Sequence, residues 1–426
     1  MKKKLLAILL VIIISECFSI LFVLKALDYL SRSSETLSYD MDRPAARTTG
    51  STVYSVEADV SVSENILHVR ETLNLPSPVK RMLFYVPSAN NAATQIISVS
   101  AGEPVSYRVR QETNLEIDGR KKEDRFTVEY SVKLENRGQI LAYTGDSYLL
   151  TNFLIVPAVY KNGKPIFTFK NPFGDPYIYN TASYRVTFRF PSGYAVFAPG
   201  VREDHPSGKL SVVTFKADNL RDFPAVLMKA PKVRTEQKGS VEICYVNAGD
   251  AREDINRALD FARDHIGPYP YTQLFVVRAP ISLKGMEFSN MVFLSDSCFT
   301  SPDLLKRIAY HEVFHQWFYG IIGTDQVDEP FLDEGLVNFL SMQLAGDRLD
   351  TRYDRQLFNT RLNEYASRDE YYRMAYTDAS RYFQSLYGHM GNRLFRMLEE
   401  VYTERKYTIL DYDDFAKYVD KYTGGS

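Results

Sequence analysis

Four residues between positions 311 and 334 have the types and spacing to hold a metal ion and move a proton beside it. His311 and His315, two of six histidines in 426 residues, stand four apart with Glu312 between them. On a helix, positions i and i+4 share a face with Cβ atoms about 5–6 Å apart, close enough for two imidazoles to chelate one small cation. Glu312 projects from the side of that face, where it reaches a water without filling a coordination position. A catalytic zinc takes three protein ligands and leaves the fourth position to water, so a neighbouring element must supply one more. Glu334 follows His315 after 18 intervening residues, room for a loop and an antiparallel return. Two imidazoles, a carboxylate and an open position suit one Zn2+ per chain. The chemistry this predicts is hydrolysis, with water acidified toward a pKa of about 7 and Glu312 carrying the proton to the leaving amine. Asn338, one turn beyond Glu334, is the candidate to hold the far nitrogen of a ligand histidine. The rival reading makes the histidines partners in buried hydrogen bonds and the glutamates solvated. A chance His-Glu-x-x-His is on the order of one in two hundred for a chain of this length.

Two helices must position these residues. Ser301-Pro302-Asp303 is a helix start: an N-cap serine, proline in the first turn and an acid facing the helix dipole. Leu304, Leu305, Ile308, Phe314, Trp317 and Phe318 fit one continuous helix stopped by Gly320. Glu329-Pro330 opens a second, "FLDEGLVNFLSMQLAG", which carries Glu334 in its first turn and ends at Gly346. Upstream, "DAREDINRALDFARDHI" has helical spacing, "GPYPYT" breaks it, and "QLFVVRAP" and "NMVFLSD" read as strands. From Thr52 to about residue 232 the pattern has period two: Tyr54, Val56, Ala58, Val60 and Val62 alternate with polar residues, as do Phe126–Leu134 and Tyr184–Phe190. Leu67, Val69 and Leu73 carry a return strand after a turn at 63–65. The expected fold class is therefore multidomain α and β: an all-β domain (51–232), then an α+β zinc domain (233–426), with a cleft between them.

The N-terminus adds an address. Lys2, Lys3 and Lys4 precede an apolar stretch from Leu5 to Leu24, long enough to span a bilayer. The lysines keep the N-terminus cytoplasmic and send the rest of the chain outward. Residues 1–27 are thus the expected transmembrane signal anchor and 28–50 a polar stalk, which makes the protein single-pass in the cell membrane with an extracytoplasmic catalytic domain. The rival here is a cleaved signal peptide with Leu5–Ile14 as its apolar region. Net charge is −2, and no basic stripe marks a nucleic-acid partner. Cys244 and Cys298 do not make a disulfide framework.

"HEVFHQWF", the 18-residue gap and "LDEGLVNF" resemble the zinc aminopeptidases of the aminopeptidase N and leukotriene-A hydrolase group, gluzincins with a thermolysin-like catalytic domain. "ALDFARDHIGPYPYTQLFVV" is similar to that family's helix, Gly-Pro-Tyr-Pro-Tyr turn and strand. "KGMEFSNMVF" resembles its exopeptidase signature Gly-Ala-Met-Glu-Asn. The resemblance covers roughly residues 52–400 and implies peptide substrates with a free N-terminus. It implies that Glu287 binds the substrate amine, with Gly285 and Met286 beside it on the substrate-binding strand, although Lys284-Gly285 and Phe288 depart from the signature. It also implies a tyrosine hydroxyl that stabilises the oxyanion. Tyr387, in "SLYGHMG", is the expected residue and Tyr382 the alternative. Asn152 is the candidate for amine recognition from the β domain. The altered signature, and a chain ending where the catalytic helices finish, keep an endopeptidase open. An inactive surface-binding homologue is the reading outside enzymes.

Overall fold

A computed structural model of the chain describes residues 51–424 apart from 88–92, 137, 173, 175, 206, 207 and 349. The expected membrane segment and stalk lie outside the described residues. Within these no helix is long and apolar enough to cross a membrane.

The first half is β-rich. Its principal strands are β1 (Thr52–Ser61), β2 (Ile66–Tyr85), β3 (Asn114–Lys133), β4 (Ala182–Pro191) and β5 (Leu210–Leu220). They lie in one sheet in the order Val201–His205, β5, β4, β1, β2, β3, Ala93–Ala101, Glu103–Pro104. Alternation places Tyr54, Val56, Ala58 and Val60 inside, which is why β1 holds one register against both neighbours. The return strand β2 runs further than its Leu67–Leu73 pattern, to Tyr85, and its register against β3 shifts between Asn74 and Val79. Pro76 and Pro78 fall in that shift; neither has an N–H to give the ladder, so the strand bulges and then resumes. A smaller sheet, Tyr194–Phe197, Ala225–Lys229, Ser147–Leu150 and Leu141–Thr144, completes this half.

The second half is built on a mixed sheet of β6 (Val233–Lys238), β7 (Val241–Val246), β8 (Gln273–Ala279), β9 (Gly285–Phe288) and β10 (Met291–Ser295), in the order β6-β7-β8-β10-β9. The β7–β8 and β8–β10 pairs are parallel, while β9 is an antiparallel edge strand. Helix α1 (Arg252–His265) crosses from β7 to β8, with Ile255, Ala258, Leu259 and Ala262 buried in the core. The other long helices are α2 (Pro302–Phe314), α3 (Phe331–Ala345), α4 (Ala379–Met390), α5 (Arg393–Arg405) and α6 (Tyr412–Thr423). One apolar core joins them, and its largest side chain, Trp317, is fully buried with Nε1 donating to Gly267 O at 3.0 Å.

Helix α2 starts as expected, with the Ser301 hydroxyl accepting from Leu304 N. It ends earlier than expected, at Phe314 rather than near Gly320. Beyond it the amides of Gly320, Ile321 and Ile322 bond five residues back, to His315 O, Gln316 O and Trp317 O. The carbonyls that would continue the helix serve side chains instead: Phe318 O lies 3.0 Å from His315 Nδ1 and Tyr319 O accepts from Arg221 Nε at 2.6 Å. Helix α3 is capped at Gly346, in the left-handed conformation that glycine adopts without strain.

The two halves are joined by buried charge. Arg221, at the end of the β5 segment, donates to the carbonyls of Tyr179, Tyr319, Ile321 and Thr408, and so ties the β-rich half to two stretches of the second half. Gly323 has no side chain because a Cβ there would lie 2.4 Å from that guanidinium. Next to it, buried Asp222 accepts from Ser289 N and the Tyr319 hydroxyl.

Candidate metal centre and active site

His311 lies in the last turn of α2 and His315 caps it, so the helical i,i+4 relation survives although the helix stops between them. Their Nε2 atoms are 3.1 Å apart, and Glu334 Oε2, from the first turn of α3, lies 3.2 Å from His311 Nε2 and 3.4 Å from His315 Nε2. Ligands about 2.0–2.1 Å from a tetrahedral zinc stand ~3.3–3.4 Å from one another, so this triangle has nearly the edge lengths that a zinc ion requires. Glu334 Oε2 is buried and accepts no well-formed hydrogen bond, a costly state for a carboxylate oxygen unless a cation completes it. Among the described residues this is the one cluster of three such side chains able to hold a metal ion. The residues present fit zinc.

Burial opposes charge on Glu334, but hydrogen bonding to His311 and His315 and their charge outweigh it and hold the carboxylate far below its ordinary range. Burial lowers His311 and opposes charge on His315 as well, where the carboxylates of Glu287, Glu334 and Asp333 overcome it and raise that imidazole. His315 Nδ1 faces Phe318 O at 3.0 Å, so in the neutral ring that a metal requires, Nδ1–H would donate there and Nε2 would turn its lone pair to the triangle.

The triangle opens onto a cavity of about 370 Å³ between the halves, lined by β9 residues Gly285, Met286 and Glu287, by His311, Glu312 and Glu334, and by Tyr376. Glu312 and Glu287 are buried at its wall. Gly285 sits where it does because a Cβ would fall 2.1 Å from Glu312 Oε1; the strand leaves room for that carboxylate.

The tyrosine at the metal triangle is Tyr376, not the expected Tyr387. Tyr376 belongs to a π-helical turn, Tyr372–Asp378. Its hydroxyl donates to Glu334 Oε1 at 2.6 Å and its ring stacks on His311 with centroids 5.8 Å apart. Tyr387 lies on the following helix, α4, with its ring against Phe339 and Phe395 at 6.0 and 5.7 Å, and does not line the cavity. Eleven residues of helix carry it away. Tyr382 packs on Phe358 and Tyr412 instead. Asn338 also differs from expectation: its amide donates to Tyr376 O and Ser380 Oγ, both at 3.3 Å, so it steadies the tyrosine's backbone and no ligand histidine. Asn152, with φ of 49°, lines a separate cavity of about 10 Å³ with Tyr85, Thr168 and Tyr177. Phe288 keeps its side chain in the core, and its carbonyl accepts from Gln316 Nε2 at 2.9 Å.

Residues 251–425 match the peptidase family M1 domain. The fold is shared with an M1 zinc metallopeptidase from Deinococcus radiodurans, at 17% identity and a TM-score of 0.65 over 88% of this chain and 91% of that one. A mutant of that enzyme solved with the substrate Tyr-Ser-Ala superposes with a TM-score of 0.62 at 16% identity, over the same shares of the two chains. Legionella pneumophila aminopeptidase A, solved with aspartic acid, matches at 16% identity and a TM-score of 0.66 over 91% of this chain and 49% of its own.

Proposed function

We propose that the chain is a zinc aminopeptidase, cutting the first peptide bond of peptides with a free N-terminus, a reading supported by the match of residues 251–425 to the peptidase family M1 domain. One observation carries this reading: a single cavity places Glu287 beside Glu312, the metal triangle and Tyr376.

His311, His315 and Glu334 would hold the zinc ion. Zinc bound there supplies Lewis acidity, which brings water toward a pKa of about 7 and polarises a carbonyl. Glu312 takes the proton of the attacking water and returns it to the departing amine. Glu287, buried at the cavity wall, pairs with the substrate's ammonium; that contact fixes the cut one residue from the N-terminus. Tyr376 has one hydroxyl proton, given to Glu334 in this structure. Turned about its Cζ–Oη bond, the same donor stabilises the oxyanion that develops on the scissile carbonyl. The Tyr-Ser-Ala substrate of the Deinococcus relative is consistent with a peptide in this cleft.

Matched peptides with free and acetylated N-termini test the proposal. Cleavage of the free peptide at its first bond, with the acetylated one spared, is the expected result; equal rates on both make the enzyme an endopeptidase. The outward-facing, membrane-anchored placement is proposed from Lys2–Lys4 and the stretch Leu5–Leu24. Protease added outside intact cells digests the catalytic domain if that placement holds.

A further inference from the structure

The cavity has an electrical polarity that the reaction alone does not explain. Strand β9 and helix α2 pack side by side along the cavity and run in the same direction. Gly285 faces Glu312 at one level, and Phe288 O meets Gln316 Nε2 at the next. Glu287 therefore lies toward the His315 end, and its carboxylate acts on that imidazole. At the other end stand two cations: Arg307, one helical turn before His311, and Lys284, just ahead of Gly285. Leu283 and Ile308 complete that end with apolar surface.

Arg307 is exposed, and Asp347, just beyond the end of α3, takes its Nη1 donor. That pair orients the guanidinium and uses one of its five N–H groups, so a second carboxylate can still be bound in fork geometry. Lys284 is exposed as well, with Nζ 3.0 Å from Ser297 Oγ.

The length of the slot follows from helix geometry. Eight residues separate Arg307 from His315, a rise of ~12 Å. An extended peptide advances about 3.3–3.6 Å per residue. With its ammonium at Glu287 and its first carbonyl at the metal triangle, a peptide brings its third or fourth residue level with Arg307. We infer that Arg307, assisted by Lys284, binds the C-terminal carboxylate of tri- and tetrapeptides, so that the enzyme selects short peptides with both termini free. This rests on the aminopeptidase reading.

The test compares one tripeptide as its free acid and as its C-terminal amide, both with free N-termini, and the N-acetylated acid as a third substrate. The expected result is kcat/KM about tenfold higher for the acid than for the amide. That ratio falls to about one in Arg307→Ala and is partly restored in Arg307→Lys. A second measurement, calorimetric binding of the acid and the amide to the Glu312→Gln protein, should show a similar ratio in Kd. A wild-type ratio near one in either measurement, or a ratio that survives Arg307→Ala, overturns the inference; an Arg307 that only ties α2 to α3 would change stability and leave the ratio alone. If the acetylated acid is cut as fast as the free one, the aminopeptidase reading fails and takes this inference with it. If acetylation blocks cutting but acid and amide remain equal, only the inference fails.

Discussion

Two buried polar clusters, one joining the two halves and one inside the second half, are satisfied in opposite ways. In the Arg221–Asp222 knot, donors and acceptors are matched: the guanidinium meets four carbonyls, and Asp222 meets an amide and a hydroxyl. At the metal triangle three electron-pair donors converge on a common point, and Glu334 Oε2 accepts no well-formed hydrogen bond. Both cost desolvation. The knot recovers it through matched hydrogen bonds, whereas the triangle leaves Glu334 Oε2 for a cation to complete. Burial alone therefore does not distinguish a staple from a site; the balance of donors and acceptors does.

The comparison is sharpened most by Glu312→Gln, which should lower kcat/KM by about 10³-fold or more while zinc content, measured by metal analysis, stays unchanged. Loss of the metal in that variant would place Glu312 in the triangle instead of beside it. Next is Arg221→Met. It leaves buried carbonyls without a donor and should destabilise the fold by about 3–5 kcal/mol in denaturant unfolding, a loss that excess zinc does not reverse. Zinc removal by chelator should lower the melting temperature in a way that added zinc restores. If zinc also rescued Arg221→Met, the two clusters would not be independent.

A smaller effect separates the tyrosines. Tyr376→Phe should lower kcat by about 10²–10³-fold with KM little changed, and Tyr387→Phe should stay within about twofold by the same steady-state assay. The last effect, read against pH, concerns a third buried group, Glu71 on β2. Its Oε2 lies 2.7 Å from the Tyr130 hydroxyl, which also lies 2.9 Å from Phe153 O. Two such oxygen contacts need two protons, and the tyrosine has one, so the carboxyl supplies the other. Burial raises Glu71 accordingly from 4.5 to about 8. Across that window the native state holds a proton that the unfolded chain has released, so stability falls as pH rises, by about 1.4 kcal/mol per unit at most. Glu71→Gln should flatten the fall between about pH 5 and 8 in thermal unfolding.

The sequence made the triangle legible because its parts are local: two histidines one turn apart and a glutamate at a helix start, joined by a short loop. Period-two strands were legible for the same reason. Tyr376 was not, because its contact with Glu334 arises where a π-helical turn packs on α3, and a spacing rule read along the chain led to Tyr387, three turns further on. The nearest signal was Asn338, four residues after Glu334: it faces the tyrosine's own backbone. Arg221 was equally hidden. In "NLRDFP" it reads as a surface loop residue, and only the tertiary fold brings four carbonyls around it.

Strand β9 ends its sheet, and its outer edge borders the cavity. An exposed edge accepts only a chain that can lie beside it as another strand. A substrate bound in that way would have to present an extended terminus before any side chain is read. A terminus wound into a helix or folded back into a hairpin must first be undone, at the expense of its own stability, whereas an unstructured fragment enters as it is. On the proposed function, a site built on this edge would favour unstructured termini over folded ones.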